Sequence, residues 1–269
     1  MNHPKKIGLA LGSGGIRGFA LVGVLEALEE NNIPISLISG SSSGSIVAAH
    51  YALYRDSKLL KEAIAKSSVK LPSIRDLGFR GGLVKNKKLK ELTAELFGNN
   101  KFSDTKIPLR VITTNLRDGN EYVFSQGNIA FSVQASCAVP VIFEPIKTKI
   151  HSFVDGGLSD PVPVKALKDM GADISIAVNL YHKNEFFDRN FTVLKVALRS
   201  FRIAIYNLSQ HSIKKADVVI APDLSEFTRD NKFKKYTSQP GIKKIIKAGY
   251  DETKKHIKEI QMIINKKTS

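Results

Sequence analysis

The chain has no tryptophan and a single cysteine, Cys137. One thiol cannot close an internal disulfide, which excludes the disulfide-stapled secreted scaffolds. Cys137 lies in an apolar Ala-Ser-Cys-Ala-Val run with no histidine or aspartate near it in sequence, so it reads as a small buried residue rather than a catalytic thiol. Long apolar runs are missing as well. The richest stretch, residues 19–28, is interrupted by Glu26 and falls short of the ~20 residues a membrane-spanning helix needs. The few apolar residues ahead of Gly12 are too short a run for a signal-peptide core. The expectation is a cytoplasmic protein, soluble or peripheral at the inner membrane surface. Acidic residues are also scarce, with 25 Asp and Glu against 41 Lys and Arg, a formal net charge of +16. Such an excess attracts anionic partners, either nucleic acid or phospholipid headgroups, and does not choose between them. Biased residue usage explains the charge equally well.

With 269 residues, 42% of them hydrophobic and 25% charged, the chain suits one globular domain with a sizeable core. Its first half alternates apolar β-type runs with helix-period segments, the pattern of an α/β fold with a mainly parallel central sheet between helical layers. Residues 7–11 read as a buried strand, followed by a glycine turn and a helix over 18–32 carrying Leu21, Leu25 and Leu28 at helical spacing. A strand over 35–39 runs into a second glycine turn and a helix over 45–55. Residues 57–100, rich in lysine, are a candidate lid with a helix over 87–97. A strand over 109–114 leads through Asp118-Gly119 into a hairpin ending at Phe124. An apolar helix over 129–137, a short strand ending at Asp155, strands over 173–180 and 217–221, and an amphipathic helix between those two complete the core. Residues 241–269 read as a basic amphipathic helix with Ile242, Ile246, Ile257, Ile260 and Ile264 on one face. That stripe either packs on the sheet or meets an anionic membrane surface.

Three glycine-rich turns carry the chemistry. Gly40-Ser41-Ser42-Ser43-Gly44 fits G-x-S-x-G, placed between a strand and a helix. The small flanking residues permit a sharp turn that lifts the Ser42 hydroxyl above the sheet, with a helix N-terminus beneath it to stabilise negative charge. Serine-glycine strings also form plain turns or phosphate-binding nests. Gly12-Ser13-Gly14-Gly15-Ile16-Arg17-Gly18 follows the first strand, and amides of Gly14 and Gly15 are candidate donors to an oxyanion. Arg17 is placed to orient that loop or to meet a phosphate; a surface arginine capping nothing is an equally plain reading. Asp155 in Val154-Asp155-Gly156-Gly157 is a candidate general base at the mouth of a strand, or else a simple turn residue.

Two other chemistries compete. Gly12, Gly14 and Gly18 make a loose dinucleotide fingerprint, but the next strand ends in Ser39-Gly40-Ser41 without the acidic residue that grips a ribose. No glycine turn is followed by Lys-Ser or Lys-Thr, so a Walker loop fails. A Ser-Asp-His triad would draw on His182 or His211, both after Asp155, although His182 sits in a polar Tyr-His-Lys-Asn loop.

Taken in order, Gly12 to Gly18, Gly40 to Gly44 and Asp155-Gly156-Gly157 resemble the patatin-like phospholipase family, in particular its short bacterial members. Ala135-Ser-Cys-Ala-Val-Pro140 and Phe143-Glu-Pro145 add to the likeness, which covers roughly residues 5–180. Ser13 departs from the glycine of many relatives. The resemblance implies a three-layer α/β/α hydrolase of fatty-acyl esters of phospholipids or lysophospholipids. It further implies a Ser42-Asp155 dyad without histidine, an oxyanion loop at Gly14 and Gly15 with Arg17 at its basic position, and neither metal nor cofactor. Expected partners are an acyl-ester lipid and an anionic membrane surface, not nucleic acid. A small-ester triad esterase and a non-enzymatic nucleotide- or nucleic-acid-binding protein remain the alternatives.

Overall fold

A computed structural model of the chain describes residues 5–66, 86–183, 192–227 and 238–268. Strand β1 (Ile7–Leu11) is buried at every residue, as a central parallel strand covered on both faces must be. It pairs in parallel with β2 (Leu37–Ser41) on one edge and β7 (Ile174–Val178) on the other. Beyond these lie β3 (Leu109–Asn115) and β8 (Val218–Ile220), also parallel. Antiparallel β4 (Glu121–Phe124) pairs with β3, and the two-residue β5 (Ile146–Lys147) pairs with β6 (Ser152–Val154). The pairing path is β5-β6-β3-β2-β1-β7-β8, with β4 also on β3.

Alternation along the strands sorts the side chains into two cores. Ile7, Leu9 and Leu11 of β1 join Ile174, Ile176 and Val178 of β7 in the large core, which also holds buried residues of α1 (Ala20–Glu30), α2 (Ser43–Tyr54) and α5 (Ile129–Ser136). Ala10 and Ala177 face the other way, onto Val164 and Leu167 of α6 (Val164–Asp169). Small residues on that face let α6 sit close: a Cβ on Gly8 would lie 3.1 Å from the Leu167 side chain. Ile213, the last residue of α7 (Val193–Ile213), closes this second core. Helices on both sides of a mainly parallel sheet give the three-layer α/β/α architecture expected of the sequence.

Of the candidate lid at 57–100, residues 67–85 lie outside the described residues. Its ends are packed helices: α3 (Ser57–Lys66) buries Leu60 and α4 (Lys87–Phe97) buries Leu89 and Phe97 in the large core. The C-terminal helix α8 (Gln239–Thr268) lies mainly on α1, with a smaller contact to the edge strand β8. Ile246, Ile257 and Ile260 are buried there, each burial worth about 2 kcal/mol. Gly23 of α1 and Gly249 of α8 mark the crossing, since a Cβ at Gly23 would stand 1.9 Å from the Ile246 carbonyl oxygen. The apolar stripe is therefore spent on the protein's own core. Among the described residues, no helix is long and apolar enough to cross a membrane.

Three boundaries beside the glycine turns differ from the sequence reading in ways that bear on the site. The helix expected over 18–32 begins as a 3-10 turn, Gly15–Phe19, and turns α-helical at Ala20. Strand β2 runs two residues later than expected and ends at Ser41, because Gly40 and Ser41 are still paired, with Val111 and Ile112. The following helix starts at Ser43, directly after Ser42.

Candidate active site

Strand β2 passes into α2 with only Ser42 between them. That residue takes up the whole reversal, at φ 52° and ψ −125°, a backbone conformation that side-chain-bearing residues rarely hold. Tight packing around the bend explains its glycines. A Cβ on Gly40 would lie 2.5 Å from the Gly44 carbonyl oxygen, and one on Gly44 would lie 2.1 Å from that of Leu11. The Ser42 N–H donates to Ser136 Oγ at 2.8 Å, and the Ser136 hydroxyl donates to the Ile112 carbonyl at 2.5 Å. Ser45 closes the first turn of α2 by donating its hydroxyl to the Ser42 carbonyl at 2.6 Å.

Sheet topology brings the carboxylate to this bend. Successive amides of the β3 end point to opposite edges: Asn115 N–H goes to Asn120 beside β4, whereas Leu116 N–H goes to Ser152 beside β6. The Pro108 carbonyl, on the same side as Leu116 by the two-residue period, accepts from Ile38 of β2. Strand β6 therefore occupies the edge of β3 that β2 vacates when it turns at Ser42. It runs back toward the bend and delivers Asp155 there. Ser42 Oγ donates to Asp155 Oδ2 at 2.5 Å, while Asp155 Oδ1 accepts from the Gly157 amide at 2.8 Å. The Asp155 backbone is pinned as well, its N–H donating to the Ala138 carbonyl and its carbonyl accepting from the Thr114 hydroxyl. Gly156 fits under the bend, since a Cβ would sit 2.2 Å from the Ile112 carbonyl oxygen.

Ser42 and Asp155 are both buried. Burial penalises the charged carboxylate and pushes Asp155 up to about 6, with the Ser42 hydroxyl and Gly157 amide pulling it partly back. A carboxylate raised in this way and in contact with a hydroxyl has the chemistry of a proton acceptor.

The Gly12 to Gly18 turn lies against the same bend. A Cβ on Gly18 would meet the Ser43 side chain at 2.7 Å, and one on Gly157 would meet Ser13 Oγ at 2.9 Å. Gly14 is extended and Gly15 left-handed at φ 58°. Among the described residues, neither the Gly14 nor the Gly15 amide donates to a protein acceptor, which leaves both available to an oxygen of a bound molecule. Arg17 is buried rather than on the surface. Its Nε donates to the Gly14 carbonyl at 3.1 Å and its guanidinium lies 4.4 Å from the centroid of the Tyr181 ring, so it holds the loop in place. Tyr181 in turn accepts from the Ser13 hydroxyl at 3.2 Å.

The structure thus assembles Ser42, Asp155, the two glycine turns and Arg17 in one place. Neither candidate histidine hydrogen-bonds to Ser42: His182 Nε2 meets the Pro222 carbonyl, and His211 is exposed on α7. Cys137 is buried, and burial raises its thiol well above the usual range. Sequence reasoning missed Ser136 and Tyr181. The first sits inside the Ala-Ser-Cys-Ala-Val-Pro run, where a polar residue in an apolar helix was the available signal.

Comparison with known proteins identifies the family and the fold. The sequence profile described as patatin-like phospholipase matches residues 9–168. An uncharacterised NTE family protein of Mycobacterium tuberculosis (strain ATCC 25618 / H37Rv) is 30% identical over 176 residues, which is 65% of this chain and 49% of that protein. The lysophospholipase NTE1 of Coccidioides immitis is 32% identical over 181 residues, 65% of this chain and 12% of that protein. The chain therefore spans about half the length of the mycobacterial relative and a small part of the fungal one. In fold it is similar to VipD from Legionella pneumophila, with a TM-score of 0.54 and 16% identity over 96% of this chain and 67% of that one.

Proposed function

Because the chain belongs to the patatin-like phospholipase family, we propose that it is a lipid acyl hydrolase that cleaves fatty-acyl esters of phospholipids or lysophospholipids. The observation that carries this reading is the 2.5 Å hydrogen bond from Ser42 Oγ to Asp155 at a strained strand-to-helix bend. Ser42 attacks the ester carbonyl while Asp155 takes its proton. The Gly14 and Gly15 amides receive the oxyanion, an arrangement whose single donors are worth about 3 kcal/mol in comparable enzymes. Asp155 then returns the proton to the departing alcohol; in the second half the same carboxylate deprotonates a water that attacks the acyl carbon, and passes that proton to Ser42 Oγ as the fatty acid leaves. No imidazole is needed, because one carboxylate poised near 6 serves both transfers. We place it in the cytoplasm, where 41 basic against 25 acidic residues suit work at the anionic inner membrane surface.

A fluorophosphonate probe tests the reading. Wild-type protein is expected to be labelled and to release fatty acid from lysophosphatidylcholine or phosphatidylglycerol. Ser42→Ala is expected to lose both, and Asp155→Asn to lose at least a thousandfold in turnover. Undiminished labelling of Ser42→Ala would overturn it.

A further inference from the structure

The hairpin that supplies Asp155 has a second consequence at its other end. Strand β6 descends from Ser152 to the dyad, so the turn at 148–151 stands outward from the carboxyl end of the sheet. Ile150 is five residues from Asp155, on the order of 15 Å along an extended strand. The turn joining β3 to β4, residues 115–120, projects from the same end. Two contacts tie the tips together: Leu116 N–H donates to the Ser152 carbonyl at 2.7 Å and Ser152 N–H to Asn115 Oδ1 at 3.4 Å.

Each tip carries a large apolar side chain in water, Leu116 at 56% and Ile150 at 69% exposure. Arg117, Lys147 and Lys149 surround them, all exposed, and none forms an ion pair among the described residues. The carboxylate within these tips is Asp118, held to the Asn120 amide and Asn115 side chain and kept ionised by those bonds. Three cations against one carboxylate leave the pair of tips positive. Apolar points ringed by long basic side chains suit an interface in which the points enter hydrocarbon and the charges stay at the headgroups. Resting on the lipid-hydrolase reading above, we propose that these two tips are the surface by which the protein seats itself on an anionic phospholipid bilayer. Seated this way, the carboxyl end of the sheet, and with it Ser42, faces the membrane. A nucleic acid would use the cations but leave Leu116 and Ile150 in water.

Because the chain has no tryptophan, one introduced indole reports a single place. In a Ser42→Ala background, Ile150→Trp is expected to shift its emission to the blue on vesicles of phosphatidylglycerol and phosphatidylcholine, and not on phosphatidylcholine alone. Leu59→Trp on α3 and Met262→Trp on α8, both exposed positions, are expected not to shift. Leu116→Asp with Ile150→Asp is expected to cut vesicle cosedimentation at least tenfold. With Ser42 intact, the same double variant is expected to keep wild-type turnover of a soluble short-chain nitrophenyl ester, which shows that it folds. A blue shift at Met262→Trp instead, or a blue shift of Ile150→Trp equal with an oligonucleotide, would overturn the proposal. If wild type hydrolyses no ester yet the Ile150→Trp shift stands, the hydrolase reading fails and the bilayer surface survives.

Discussion

Ser42 holds φ 52° and ψ −125°, a conformation that costs about 1–3 kcal/mol and persists only where surroundings enforce it. Here the enforcers are Ser136 at its amide, Ser45 at its carbonyl and Asp155 at its hydroxyl. The residues alone left Asp155 open as a plain turn, and its pairing with Ser42 came from the resemblance carried by the glycine motifs in which both stand. Ser136 was not legible in that way, since its task is to satisfy one backbone amide and no spacing announces it. The state of Asp155 leads to a prediction about pH. As base, it must be ionised, and burial has moved its midpoint from the ordinary ~3.9 up to about 6. kcat/KM is therefore expected to be level above about pH 6 and to fall roughly tenfold for each unit below it. Asp160, pushed up to about 7 by burial, is another carboxyl in this range, but it accepts from Ser212 and not from Ser42. Asp160→Asn should leave the acid limb in place. A limb near 4, or one that moves in Asp160→Asn, would show that Asp155 does not set it.

Between elements, glycines decide which surfaces meet. The parallel strands and their helices were readable from apolar runs and helical spacing, which follow directly from burial on both faces of β1, β2 and β7. The two-residue β5 and the six-residue α6 gave no such pattern, because elements so short carry no period to recognise. The end of β2 was misplaced for a different reason. Gly40 and Ser41 have the composition of a turn, yet they are paired strand residues, and the turn is compressed into Ser42 alone. The stripe on α8 was visible, but not its partner, since α1 offers Gly23 for the close approach as one small residue among many apolar ones. Gly23→Ala places a methyl 1.9 Å from a backbone oxygen that cannot yield without moving α8. We expect a loss of about 2 kcal/mol in denaturant unfolding, with Ser42 still labelled by a fluorophosphonate below the transition. Wild-type stability of this variant would show that the helices do not meet as described.

For the whole molecule, the question is whether the net charge of +16 acts as a diffuse cloud or through its placement. The sequence shows only the sum, and its most basic visible segment is the last helix. The fold separates two populations of cations. On α8, Lys247 and Lys255 are paired with Asp251 and Glu252, whereas Lys243, Lys244 and Lys258 are exposed without ion pairs among the described residues. That helix covers α1, while Arg117, Lys147 and Lys149 stand on the tips beyond the dyad, at the carboxyl end of the sheet. Changing either trio to glutamine lowers the net charge equally, from +16 to 16 − 3 = +13. A diffuse field would respond alike to both, because long-range attraction depends on total charge and is screened beyond about 10 Å at 0.1 M salt. Close contact instead gives each cation at the surface about 1 kcal/mol, so the tip trio should matter by up to about 3 kcal/mol and the α8 trio by far less. The expected result is that Arg117→Gln, Lys147→Gln, Lys149→Gln lowers hydrolysis of anionic vesicles at least tenfold and flattens its dependence on salt. The Lys243→Gln, Lys244→Gln, Lys258→Gln protein should stay within about twofold of wild type, and both should act alike on a soluble ester. Equal losses in the two triple variants would mean that charge number, not its position near Ser42, governs adsorption.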